Sequence, residues 1–116
     1  MPFSYVEPTI AAGESLSDGV DVSGGTVIRI TTPGPEEWVK ANMTFQVSSD
    51  GVYYSDAFND KGEEIMVPGI PHWCTVFVSG LHLDHIGHVK VRSGTRANPV
   101  VQPKECKMAI TLHTDA

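Results

Sequence analysis

Apolar and polar residues alternate with a period of two in four separate runs of this chain. In Met43-Thr44-Phe45-Gln46-Val47-Ser48, the apolar Met43, Phe45 and Val47 fall on one side, and Thr44, Gln46 and Ser48 on the other. Cys74 to Val78, His88 to Arg92 and Met108 to Leu112 repeat the pattern. Successive side chains of a strand point to opposite faces, so each run predicts a strand with one buried and one wet face. Thr26-Val27-Ile28-Arg29-Ile30-Thr31 adds a β-branched strand after the Ser23-Gly24-Gly25 turn. Asp50-Gly51 accepts positive φ and predicts a hairpin turn, with Val52 to Asp56 as the return strand. Asn59 to Gly62 predicts a second turn, leading into Glu64 to Val67.

Turn signals separate these runs at intervals of about 8–12 residues, the spacing of an all-β sandwich. The expected fold is all-β: an antiparallel two-sheet sandwich of about eight or nine strands. Phe45, Val47, Val76, Val78, Val89, Val91, Ile110 and Leu112 should face inward. Gly34 to Ala41 departs from the pattern. Pro35 followed by Glu36 and Glu37 suits a helix start, so one short helical turn is expected there. Trp38 on that turn either plugs the open end of the core or stands exposed as a ligand platform. Residues 96–105 hold Pro99 and Pro103 and no strand pattern. They predict a long loop of the kind that carries binding residues.

At 116 residues and 41% apolar composition, the chain suits one globular domain spanning 1–116. The net charge of −6 argues against nucleic-acid binding. Its basic residues cluster only at Lys90, Arg92, Arg96, Lys104 and Lys107, interrupted by Glu105. No secretory leader and no membrane-spanning run are expected. Cys74 and Cys106 do not make a disulfide framework. They read as small buried residues, with a pairing between them left open.

Candidate chemistry is sparse. His82-Leu83-Asp84-His85-Ile86-Gly87-His88 contains metal-ligand types, but strand residues three apart point to opposite faces. The expectation is an exposed histidine loop without a metal. Asn59 to Glu63 offers hard oxygen ligands for Ca²⁺ without EF-hand spacing. No nucleophile elbow, phosphate-cradling loop or Cys–His pair in an electropositive setting is present, so no enzyme activity and no cofactor are expected.

Two blocks resemble known architectures. Val47-Ser48-Ser49-Asp50-Gly51-Val52-Tyr53-Tyr54, followed by Asp60-Lys61-Gly62, resembles the hairpin of discoidin-like, galactose-binding-type jelly rolls. His88 to Thr95 and Met108 to Leu112 resemble the last two strands of that fold. Ser15 to Asp21, Trp38 with Ala41 to Gln46, Lys90 to Thr95 and Pro99 to Gln102, within residues 8–113, resemble small structural proteins of phages and gene-transfer agents. The resemblance implies a jelly roll and a non-enzymatic virion protein, assembled in the host cytoplasm: a head decoration, head-fibre base or connector component. Its expected partners are further copies of itself and a capsid, neck or tail protein. The expected docking surface is the 93–105 loop with the 34–41 turn, through Trp38, Arg92, Arg96, Asn98 and Gln102. The alternative is a carbohydrate-binding module for a host glycan. There Tyr53, Tyr54, Trp73 or Trp38 would stack on a sugar ring, and Arg96, Asn98 and Gln102 would bond its hydroxyls.

Overall fold

The structure, a computed structural model, describes residues 3–33, 38–70, 74–78 and 86–114. Eleven strand segments are present among them: β1 (Phe3–Val6), β2 (Thr9–Ile10), β3 (Val20–Asp21), β4 (Gly25–Thr31), β5 (Met43–Ser48), β6 (Ser55–Asp56), β7 (Met66–Val67), β8 (Thr75–Phe77), β9 (His88–Ser93), β10 (Cys106–Lys107) and β11 (Ala109–Thr114). One sheet has the order β1-β11-β4-β8. The other has the order β3-β9-β5-β6, with β7 also paired to β5, and β2 and β10 form a short ribbon. All pairings are antiparallel.

The count of eleven exceeds the expected eight or nine because three strands are interrupted. Pro8 separates β1 from β2, yet its carbonyl accepts the amide of Met108, which separates β10 from β11. A proline has no amide to donate to a ladder, so pairing pauses there and resumes. Joining β1 with β2, β6 with β7 and β10 with β11 leaves eight strand lines. Numbered in chain order they divide between the sheets as 1-8-3-6 and 2-7-4-5, which is the jelly-roll arrangement of two Greek keys.

One core lies between the sheets. Val27, Ile30, Ile110 and Leu112 enter it from the four-stranded sheet; Met43, Phe45, Val89 and Val91 enter from the other. Val47, Val76 and Val78 pack against it half-buried. All eight inward residues expected from alternation therefore face the core. The return strand differs. Only Ser55–Asp56 pairs with β5, while Val52 and Tyr53 swing outward, 70% and 81% exposed. Asp50 causes this: its Oδ1 accepts the amides of Val52 and Tyr53, curling the chain away from the ladder.

Of the expected helical turn, residues 34–37 lie outside the described residues, and 38–41 are not helical. Trp38 is buried and plugs the core, its Nε1–H donating to the Gly69 carbonyl at 3.1 Å. A β-carbon on Gly69 would sit 1.9 Å from the Ala41 carbonyl oxygen and 2.9 Å from the Trp38 ring, so only glycine admits this packing.

Candidate functional site

The two outer faces of the sandwich differ in chemistry. On the β3-β9-β5-β6 sheet, Thr44, Gln46 and Ser48 of β5 lie beside Arg92, Lys90 and His88 of β9. Arg92 is the centre of this face and only 7% exposed. Its guanidinium pairs with Asp56 of β6 and with Glu64 at 3.3 Å, and reaches the Thr44 hydroxyl at 3.4 Å. Arg96 adds its Nε at 3.1 Å from the other Asp56 oxygen, and its backbone amide donates to Glu64. Lys90 lies 4.5 Å over the ring of Tyr54, a cation–π contact. Arg92 and Arg96 thus engage the two carboxylates Asp56 and Glu64, while Lys90 covers the Tyr54 ring.

These contacts hold carboxylates in their charged form. The hydrogen bond from Arg92 keeps the Asp56 carboxyl below the usual carboxylate range, helped by Gln46 and by the charge of Arg96. Asp50 is lowered to about 2, chiefly by the Tyr53 amide, then by the Val52 amide and the Ser48 hydroxyl. A carboxylate whose folded pKa lies below its unfolded value of about 3.9 contributes stability that is fully present above that value and is lost as pH falls through the folded one. The melting temperature is therefore expected to be level above about pH 5, to drop below about pH 4, and to keep dropping toward pH 2. In Asp50→Asn the drop at the most acid end should be shallower, because the amide oxygen accepts the same bonds without titrating. Calorimetry across this range checks both statements.

The five expected docking residues separate on inspection. Trp38, Arg92 and Gln102 are buried, whereas docking through them was expected at the surface. Gln102 is wholly enclosed. Its Nε2 donates to the Val39 carbonyl at 2.9 Å and the Ser93 hydroxyl at 2.8 Å, and its Oε1 accepts the Val39 amide at 2.7 Å. Arg96 and Asn98 are exposed, but the Arg96 guanidinium is engaged with Asp56. The 93–105 segment is itself pinned to the body. Gly94 donates to Asn42, Val100 to Ser93 and Gln102 to Glu14. Gly94 has φ +90, and a β-carbon there would lie 2.5 Å from the Asn98 carbonyl oxygen, so this turn also requires glycine.

Among the described residues, no group of three or more His, Cys, Asp or Glu side chains could hold a metal ion. His82, Asp84 and His85, and likewise His72 and Trp73, lie outside the described residues. In the Asn59–Glu63 turn the Asn59 side-chain oxygen accepts the amides of Lys61 and Glu63, so the turn closes on its own bonds. Both cysteines are thiols, Cys106 buried and Cys74 half-buried.

The outer face of the four-stranded sheet is of another kind. Val6 and Ile110 pair with their side chains inward, so their neighbours Tyr5 and Thr111 point outward. Thr111 lies opposite Arg29, and Arg29 opposite Phe77. The result is one row across all four strands, Tyr5–Thr111–Arg29–Phe77, about 14 Å long at the usual strand spacing. Tyr5 is 64% and Phe77 76% exposed. Phe3 joins the face on β1, its ring edge-on to His113 with centroids 5.4 Å apart. A register shift between Thr111 and Leu112 gives β4 one extra residue, Ile28, which packs outside the core. Arg29 is the one Lys or Arg among the strand residues of this face, and none of them is a carboxylate.

Sequence reasoning missed this row, although each part carried a signal. Phe77 sits between the inward Val76 and Val78, and Phe3 and Tyr5 alternate with Ser4 and Val6. Their alignment into one row depends on pairings between strands far apart in the chain.

A cavity of about 500 Å³ opens beside β6, lined by Val47, Asp56, Ala57, Phe58, Asn59, Asp60, Ile65 and Ile86. Its floor is aliphatic, and Phe58 and Asp60 are exposed. In comparisons with known proteins, no family model matches the chain, no curated protein matches it, and no solved structure matches it.

Proposed function

We propose that this jelly-roll sandwich is a non-enzymatic structural component of a virion: a head decoration, head-fibre base or connector component that acts by protein–protein docking. The observation that carries the reading is the outer face of the four-stranded sheet, where exposed Tyr5 and Phe77 flank half-buried Arg29 in one row. Aromatic rings and arginine are the side chains enriched where interfaces concentrate their binding energy. The partner that fits is a capsid, neck or tail protein presenting a carboxylate within an apolar patch, which would meet Arg29 between the two rings. The resemblance to phage and gene-transfer-agent structural proteins supports the same reading. So does the use of Arg92, Asp56 and Glu64 in binding one another rather than a substrate.

The test is co-fractionation of the tagged protein with assembled particles. Wild type should sediment with particles, whereas Phe77→Lys, exposed and so tolerated by the fold, should remain in the soluble fraction. A wild-type protein that never accompanies particles would refute the virion reading. Normal incorporation of Phe77→Lys would refute the face assigned to docking.

A second reading, a carbohydrate-binding module, is favoured by the cavity beside β6. Phe58 offers an apolar ring face and Asp60 an acceptor for sugar hydroxyls. It differs from the expected arrangement, because Trp38 and Gln102 are buried and Tyr54 already carries Lys90. Binding on a glycan array that is lost in Asp60→Ala would favour this reading over the first.

A further inference from the structure

The four-stranded sheet ends on one side at β1, the longest edge strand among the described residues. An edge strand presents alternate unpaired N–H and C=O groups and is a template for another strand unless something blocks it. Proteins block edges with charge, proline or a bulge. Phe3-Ser4-Tyr5-Val6 has no charged residue and no proline, and its register with β11 is unshifted. The chain carries 14 acidic against 8 basic residues, so two copies repel over most of their surface. The outer face beside β1 has no carboxylate within its strands, which makes this edge a place where two copies can approach.

We infer that two copies of the chain pair antiparallel through β1 about a two-fold axis, joining their four-stranded sheets into one of eight strands. The proposal deepens the assembly reading by naming a second copy as the partner at this edge. The side chains select the register. Pairing centred on Ser4 sets Phe3 opposite Tyr5 of the other copy, twice, and aromatic cross-strand pairs are among the more favourable. Pairing centred on Tyr5 would instead set Phe3 opposite Glu7. An axis perpendicular to the sheet keeps both aromatic rows on one face, so the dimer would present Arg29 and Phe77 twice and dock with avidity.

Four residues per edge make a small contact, so the dimer should depend on concentration. Light scattering of the wild type should show the mass doubling on concentration to about 1 mM, where weak contacts form. Tyr5→Glu, at an exposed position, should remain monomeric with an unchanged circular dichroism spectrum. Ser4→Cys should give a cross-linked dimer with a short bifunctional thiol reagent. Glu7→Cys should not, since its two copies would lie about 20 Å apart in the Ser4-centred register. A wild type that stays monomeric at the highest concentration, or a dimer that persists in Tyr5→Glu, would overturn the inference. Either result would leave the particle co-fractionation, which is read at Phe77 on the opposite edge, to stand or fall separately.

Discussion

Replacing Phe45 by alanine is expected to lower the unfolding free energy by about 3–5 kcal/mol. Phe45 is wholly buried in β5, paired with Val91 of β9, and lies in the single core shared by both sheets. Removing its ring forfeits the transfer free energy of that surface and leaves a cavity. Strands tied to neighbours on both sides cannot collapse to fill it. The total stability of a domain this size is of order 5–15 kcal/mol, so the variant should keep only part of it. Urea unfolding should show the midpoint moving sharply down with an unchanged slope. A shift below about 1 kcal/mol would mean that the core does not close around this residue.

Arg92→Met should rank next, at about 2–4 kcal/mol. The variant keeps much of the aliphatic stem and removes only the charge that holds Asp56 and Glu64 together. Their side chains are 20% and 13% exposed, so the loss falls short of that for a fully buried pair, because water still screens them. The mechanism has its own signature. Adding Asp56→Asn and Glu64→Gln to Arg92→Met should recover part of the loss, since the penalty comes from carboxylates left without a counter-charge. With Arg92 gone, the Asp56 carboxyl should also move back up toward the usual carboxylate range. A triple variant less stable than Arg92→Met would show that packing, rather than charge, sets the cost. Unfolding curves of the single and triple variants at neutral pH decide it.

Residue patterning made the core legible. Alternation in β5, β9 and β11 named the inward residues because one face of each strand is dry. It could not show what covers the other face. Arg92 does point outward, as alternation required, yet Asp56 and Glu64 are brought over it by segments that follow β5. Gln102 sits in a proline-containing stretch that reads as a surface loop. It is buried because Glu14, far away in sequence, pairs with it and places its amide against Val39 and Ser93. The Asp-Gly turn was correctly placed, but its effect on the next strand was not. The side chain of Asp50 accepts the amides of Val52 and Tyr53, which turns them away from the ladder. The Tyr5–Arg29–Phe77 row was hidden for the same reason as the Arg92 cluster: it depends on long-range register, which spacing along the chain does not encode.

In the docking proposed above, the outer face of the four-stranded sheet, and not the 93–105 segment, meets the partner. Hydroxyl-radical footprinting of free protein and of protein bound to particles measures this directly. Phe3, Tyr5 and Phe77 should be oxidised in the free protein and protected on the particle, while Tyr53 should react equally in both. Protection confined to the 93–105 segment, with Tyr5 and Phe77 still reactive on the particle, would contradict it.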